Sequence, residues 1–145
     1  MRDGDDVVKS VGYLTLYGAY LEEQIELLLY SIESLSPYKG GFQISSKIDH
    51  ARKFFERQTK NDFRSIISDL KLCKEIFEDR NVIVHGRVYA KSGCLDILKS
   101  SRPKVEEREI SSAEINILVN EMERFKNSIQ SYTCFRLPEV WNMLD

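Results

Sequence analysis

The sequence predicts an all-α fold: a four- to five-helix bundle with a short β-hairpin or loop inserted before the last long helix. Apolar residues recur at alternating spacings of three and four over most of the chain, the mark of helices that bury one stripe. Only three prolines and seven glycines interrupt 145 residues, so long regular elements are expected. One stretch, residues 87–99, drops that period and reads as two short strands around Ser92-Gly93. The chain is read as one domain over 1–145, with the hairpin-like insertion at about 87–105.

The first helix is expected from about Asp6 to Leu35, with Val7, Val11, Leu14, Tyr17, Leu21, Ile25, Leu28, Ile32 and Leu35 on its stripe. The acids before it suit a helix N-terminus. Gly12 and Gly18 weaken it mildly and allow a bend. Leu16, Leu27, Leu29 and Tyr30 lie off the stripe, so this helix carries a second apolar face suited to a partner, most simply a second copy of the chain. A second helix begins near Ser45 or Ser46, where Ser46 and Asp49 resemble a capping box, and buries Ile48, Ala51, Phe54 and Phe55. A third runs from about Asp62 to Asp79. Ser111 and Glu114 form a capping box that opens the last helix, from about Ala113 to Ser131. The tail, with Pro138 and Trp141, docks as a short turn.

Composition narrows the function. Seven Phe, seven Tyr and one Trp demand a core and exclude a disordered chain. No apolar run is long enough for a transmembrane helix, and the acidic N-terminus lacks the apolar stretch of a signal peptide. Cys73, Cys94 and Cys134 are odd in number and widely spaced, which fits a reducing cytoplasm rather than a disulfide framework. The net charge of −2 excludes a general polyanion binder, yet residues 36–64 and 80–108 each carry a net +4. There is no Gly-rich phosphate loop, no G-x-S-x-G and no H-E-x-x-H, and no paired carboxylates with metal-ligand spacing. Neither a metal nor a cofactor is expected.

Of the two histidines, His50 sits beside Asp49 and Arg52 in the second helix and carries no functional signal. His85 ends the run Arg80-Asn81-Val82-Ile83-Val84-His85. If the run is helical, Asn81 and His85 share a face at i and i+4, and the long Arg80 side chain can swing to the same cleft. The three β-branched residues between them would anchor the run to the core. A histidine exchanges protons near neutral pH, and a guanidinium grips phosphate and stabilises charge developing on it. An Asn amide orients either. Such a set suits phosphodiester chemistry on RNA, where the neighbouring 2′-hydroxyl supplies the nucleophile.

Arg80-Asn81-x-x-x-His85 in a helical domain of this size resembles the HEPN superfamily, whose ribonuclease members carry an Arg, a polar residue and a His at this spacing late in a helical bundle. The resemblance implies a metal-independent endoribonuclease that dimerises, so that two motifs face each other and form one composite site. It implies that Arg80 binds phosphate and stabilises the transition state, that His85 is acid or base, and that Asn81 is the polar helper. The products would be a 2′,3′-cyclic phosphate and a 5′-hydroxyl. Many such proteins are prokaryotic toxins or defence effectors, with an antitoxin or other regulatory protein as partner. In the branch paired with nucleotidyltransferase antitoxins a modified Tyr lies two residues after the His. Here that position is Arg87, and the nearest tyrosine is Tyr89.

RNA contacts are expected from Arg87, Lys91 and Arg102, with Tyr89 placed to stack on a splayed base. Arg52, Lys53, Arg57 and Lys60 would add a second basic strip, and Glu22, Glu23 and Glu26 could face the site from the first helix. The alternative function is a non-catalytic HEPN-like module that binds nucleotide or RNA or assembles proteins. In a third, the motif is accidental, Arg80 pairs with an acid such as Glu78 or Asp79, and His85 packs away from any cleft.

Overall fold

The computed structural model describes residues 3–89, 96–100 and 108–145. It is an all-α bundle. Four long helices, α1 (Asp3–Ser31), α2 (Ile44–Glu56), α3 (Arg64–Val84) and α4 (Ser112–Ser131), precede a short helix, α5 (Leu137–Val140). The insertion lies between α3 and α4, as expected, and contains β1 (Gly86–Tyr89), β2 (Asp96–Ser100) and β3 (Arg108–Ile110). These form a three-stranded antiparallel sheet in the order β1-β2-β3, with Arg87 opposite Lys99 and Leu98 opposite Arg108. The third strand adds to the expected hairpin. Leu98 and Ile110 are buried and join the sheet to the core of the bundle.

The helix packing follows the apolar stripes. α1 packs chiefly on α4, and α2 on α3. Val7, Leu14, Leu21, Ile25, Leu28 and Ile32 are buried as the stripe requires, whereas Leu35 is 42% exposed because α1 ends at Ser31 and the chain turns there. Leu29, off the stripe, is also buried. Leu16, Leu27 and Tyr30 stay exposed, so no described helix covers the second face. α1 runs unbroken through Gly12 and Gly18. No described helix is long and apolar enough to cross a membrane.

The bounds of α2 and α3 differ from expectation. α2 begins at Ile44 after Gln43, which makes no side-chain cap, so Ser46 lies inside the helix. Asp49 turns outward from its expected box to Lys74 of α3, at 3.0 and 3.2 Å. α3 continues to Val84, more than a turn beyond Asp79, so the Arg80–Val84 run is helical. Its N-cap residue, Phe63, makes no side-chain cap, and Asp62 before it accepts the Arg64 backbone N–H at 3.0 Å. The cap of α4 is as read: the Ser111 hydroxyl accepts the Glu114 backbone N–H at 3.2 Å. Glu114 itself reaches back to Arg108 of β3. After α4 the helix widens into a π-helical turn, Tyr132–Arg136, where the Leu137 N–H reaches back five residues to Tyr132. The tail docks, with Leu137 and Val140 buried and Trp141 partly so.

Candidate functional site

Arg80, Asn81 and His85 line one cleft of about 450 Å³. α3 supplies them with Lys74, Phe77 and Glu78, α1 supplies Glu22, and the start of α2 supplies Ile44 and Ser45 beside Gln43. The α3 residues follow helical spacing, so one face of α3 forms a wall of the cleft. Behind that wall Cys73, Ile76, Phe77 and Ile83 are buried in the core, which fixes the face in place.

The Arg80 side chain folds back along this wall. Its Nε and Nη2 donate to the Asn81 Oδ1 at 3.2 and 2.8 Å. Its Cζ lies 5.0 Å from the centre of the Phe77 ring, a cation–π distance. Among the described residues Arg80 forms no ion pair, with Glu78, Asp79 or any other acid. Partial burial lowers its pKa from the usual arginine value, and the charge of Glu22 acts against that. A guanidinium starts so far above neutral pH that it stays charged. The cleft therefore holds a half-buried cation whose bound neighbour is a neutral amide. Such a cation keeps attraction for an incoming anion that a carboxylate partner would have cancelled.

His85 is the C-cap residue of α3, and its backbone N–H donates to Asn81 and Ile83 carbonyls. Its side chain is exposed at the edge of the same cleft. The next residue, Gly86, opens β1, so Arg87 and Tyr89 follow within four residues; their backbones pair with Lys99 and Ile97. Lys91 and Arg102 lie outside the described residues.

The remaining charges divide. Glu22 faces the cleft, whereas Glu26 pairs with Lys47 at 2.7 Å and Glu23 is exposed. None of Arg52, Lys53, Arg57 and Lys60 lines the cleft. Arg52 is held by Glu56 at 2.9 Å, and Lys60 by Asp145 at 2.9 Å. His50 is structural: its Nε2 lies 2.9 Å from the Ser36 carbonyl oxygen and ties the turn after α1 to α2. Cys73 is fully buried, and burial, helped by the charge of Asp69, pushes its thiol up to about 12, which rules it out as a nucleophile. Among the described residues no group of three or more His, Cys, Asp or Glu side chains could hold a metal ion.

Gln43, Ser45, Lys74 and Phe77 were not foreseen at the site. Counting back from Asn81 by helical steps reaches Phe77 and Lys74, so their signal was present. Nothing local in the sequence marks Gln43 or Ser45.

No family model, curated protein or solved structure matches the chain.

Proposed function

We propose that the protein is a HEPN-type endoribonuclease that cleaves RNA without a metal ion, at a site completed by a second copy of the chain. The observation that carries this reading is the cleft itself, where a charged, half-buried Arg80, which has no carboxylate partner among the described residues, lines the same wall as an exposed His85. Arg80 binds the scissile phosphate and stabilises the charge that builds on it. One His85 takes the proton of the 2′-hydroxyl, whose oxygen attacks phosphorus. The bond from phosphorus to the 5′-oxygen breaks, and the 5′-oxygen receives a proton from the His85 of the other copy. The products are a 2′,3′-cyclic phosphate and a 5′-hydroxyl. Asn81 holds the guanidinium in position.

The RNA would pass from the cleft along β1, past Arg87 and Tyr89, with Lys91 and Arg102 proposed as contacts from the sequence alone. The proximity of β1 to His85 supports the first two as contacts. The compartment that fits this chemistry is the cytoplasm, and the biological role that fits it is a toxin or defence effector under the control of a regulatory protein.

The test is cleavage of mixed RNA in excess EDTA, with His85→Ala as the paired protein. The expected result is cutting by the natural chain, cyclic-phosphate ends, and a loss of at least about 100-fold in the variant. Binding without cutting by both proteins would replace this reading with the non-catalytic one. Equal cutting by both would remove His85 from the mechanism.

A further inference from the structure

Gly18 lies in the middle of α1, far in sequence from the motif, and it is buried. A Cβ placed on it would stand 2.9 Å from both Cδ and Nη1 of Arg80, and 3.7 Å from Cζ. Contacts between carbon atoms settle at about 3.5–4.0 Å, so a methyl group and this arginine cannot share the space. Gly12, on the same helix, is different: a Cβ there would meet nothing within 4 Å. Glycine also weakens a helix interior relative to alanine. At Gly18 that cost has a counterpart in the space it leaves for Arg80.

We infer that Gly18 is a positioning residue of the site: its missing side chain is a notch in α1 that receives Arg80 and lets the guanidinium reach Asn81. Glu22, one turn along the same face of α1, borders the same cleft. α1 is thus a wall of the site as well as the centre of the core. Alanine at position 18 pushes the flexible arginine off its seat while the backbone stays. The bonds from Nε and Nη2 to Asn81 break, and the cation no longer points where the phosphate binds. The catalytic part of this inference rests on the proposed role of Arg80; the placement of its side chain does not.

The experiment compares the full natural chain with Gly18→Ala and Gly12→Ala. The arginine Nε–H signal of Arg80, identified by its loss in Arg80→Lys, is followed by ¹⁵N NMR. Gly18→Ala is expected to shift that signal and speed its exchange with water, and Gly12→Ala to leave it in place. An unmoved signal in Gly18→Ala overturns the inference. Melting supplies an arm that survives a poorly folded single variant. Adding Gly18→Ala to Arg80→Ala should raise the Tm, because the notch is then empty and only helix propensity remains. A lower Tm in that pair would mean that the glycine serves the packing of α1 itself, and the inference falls. In the cleavage assay Gly18→Ala should be about 100-fold slower, as for the loss of one transition-state donor, and Gly12→Ala unchanged. Full activity with a displaced Arg80 signal also overturns the positioning role. A natural chain that cuts no RNA defeats the ribonuclease reading alone, since the spectra and melts still decide the notch.

Discussion

Asn81 offers one carbonyl oxygen, and two nitrogens of Arg80 donate to it. This grip holds the guanidinium without neutralising it, which separates Asn81 from an acid at the same place. Asn81→Ala frees the arginine to wander and should slow cleavage about tenfold. Asn81→Asp keeps the grip but adds a charge that competes with phosphate, and should slow it further, to about 100-fold. Rate measurements at saturating RNA decide the order; an Asp variant faster than the Ala variant would show that orientation matters more than charge. The motif was legible because Asn81 and His85 obey helical spacing. Arg80 is offset from His85 around α3, but the length of its side chain made its reach into the same cleft legible; its seat there was not. A glycine on another helix and the ring of Phe77 decide where its side chain goes.

At the level of elements, α2 and α3 are joined by two ion pairs, Asp49 with Lys74 at 3.0 Å and the looser Glu56 with Lys71 at 3.9 Å, and the first shifts its carboxyl. Burial pushes the Asp49 carboxyl up, but hydrogen bonds and charge from Lys74 and Arg52 outweigh it and hold it below its ordinary value. The folded pKa is therefore depressed relative to about 3.9 in the unfolded chain. Stability from this pair is present above that value and is lost as pH falls through the folded pKa. Lys74→Ala should lower stability by about 0.5–1 kcal/mol near neutral pH, and its Tm curve should converge on that of the natural chain as acid protonates Asp49. Parallel curves down to acid pH would remove this pair from the account. A second element-scale test concerns the ring of Tyr132, which meets the Phe55 ring edge-on at 5.7 Å. Its hydroxyl is buried and has no hydrogen-bond partner among the described residues, and burial raises it to about 12. Tyr132→Phe removes an unsatisfied polar atom while keeping the ring. Thermal melting should show a gain of about 1 kcal/mol; a loss would mean that the hydroxyl has a partner. The helices themselves were legible, and so was the Ser111 cap, because period and cap chemistry are local. The third strand was hidden. Its partner is β2, and a three-residue strand such as Arg108–Ile110 has no period of its own to read.

Across the whole molecule, two features read together in the sequence lie on different sides. Helical rotation puts Leu16 and Leu27 about 120–180° around α1 from Gly18 and Glu22. Two copies joined through the Leu16 and Leu27 face would therefore hold their clefts apart. A composite site needs contact on the cleft side, and there Phe42 is 96% exposed, directly before Gln43 at the cleft rim. In a two-fold contact the same residue is buried twice. At about 1.5–3 kcal/mol for each Phe, its loss should weaken self-association by about 100-fold or more. Phe42→Ser should then lower the dimer fraction in sedimentation and cleavage together, most clearly at low protein concentration. Leu16→Glu with Leu27→Glu should leave cleavage intact, whatever it does to other associations of α1. The reverse pattern would place the dimer on the exposed face of α1. His85 of one copy could then not serve the RNA held by Arg80 of the other, and each cleft would have to supply both acid and base alone.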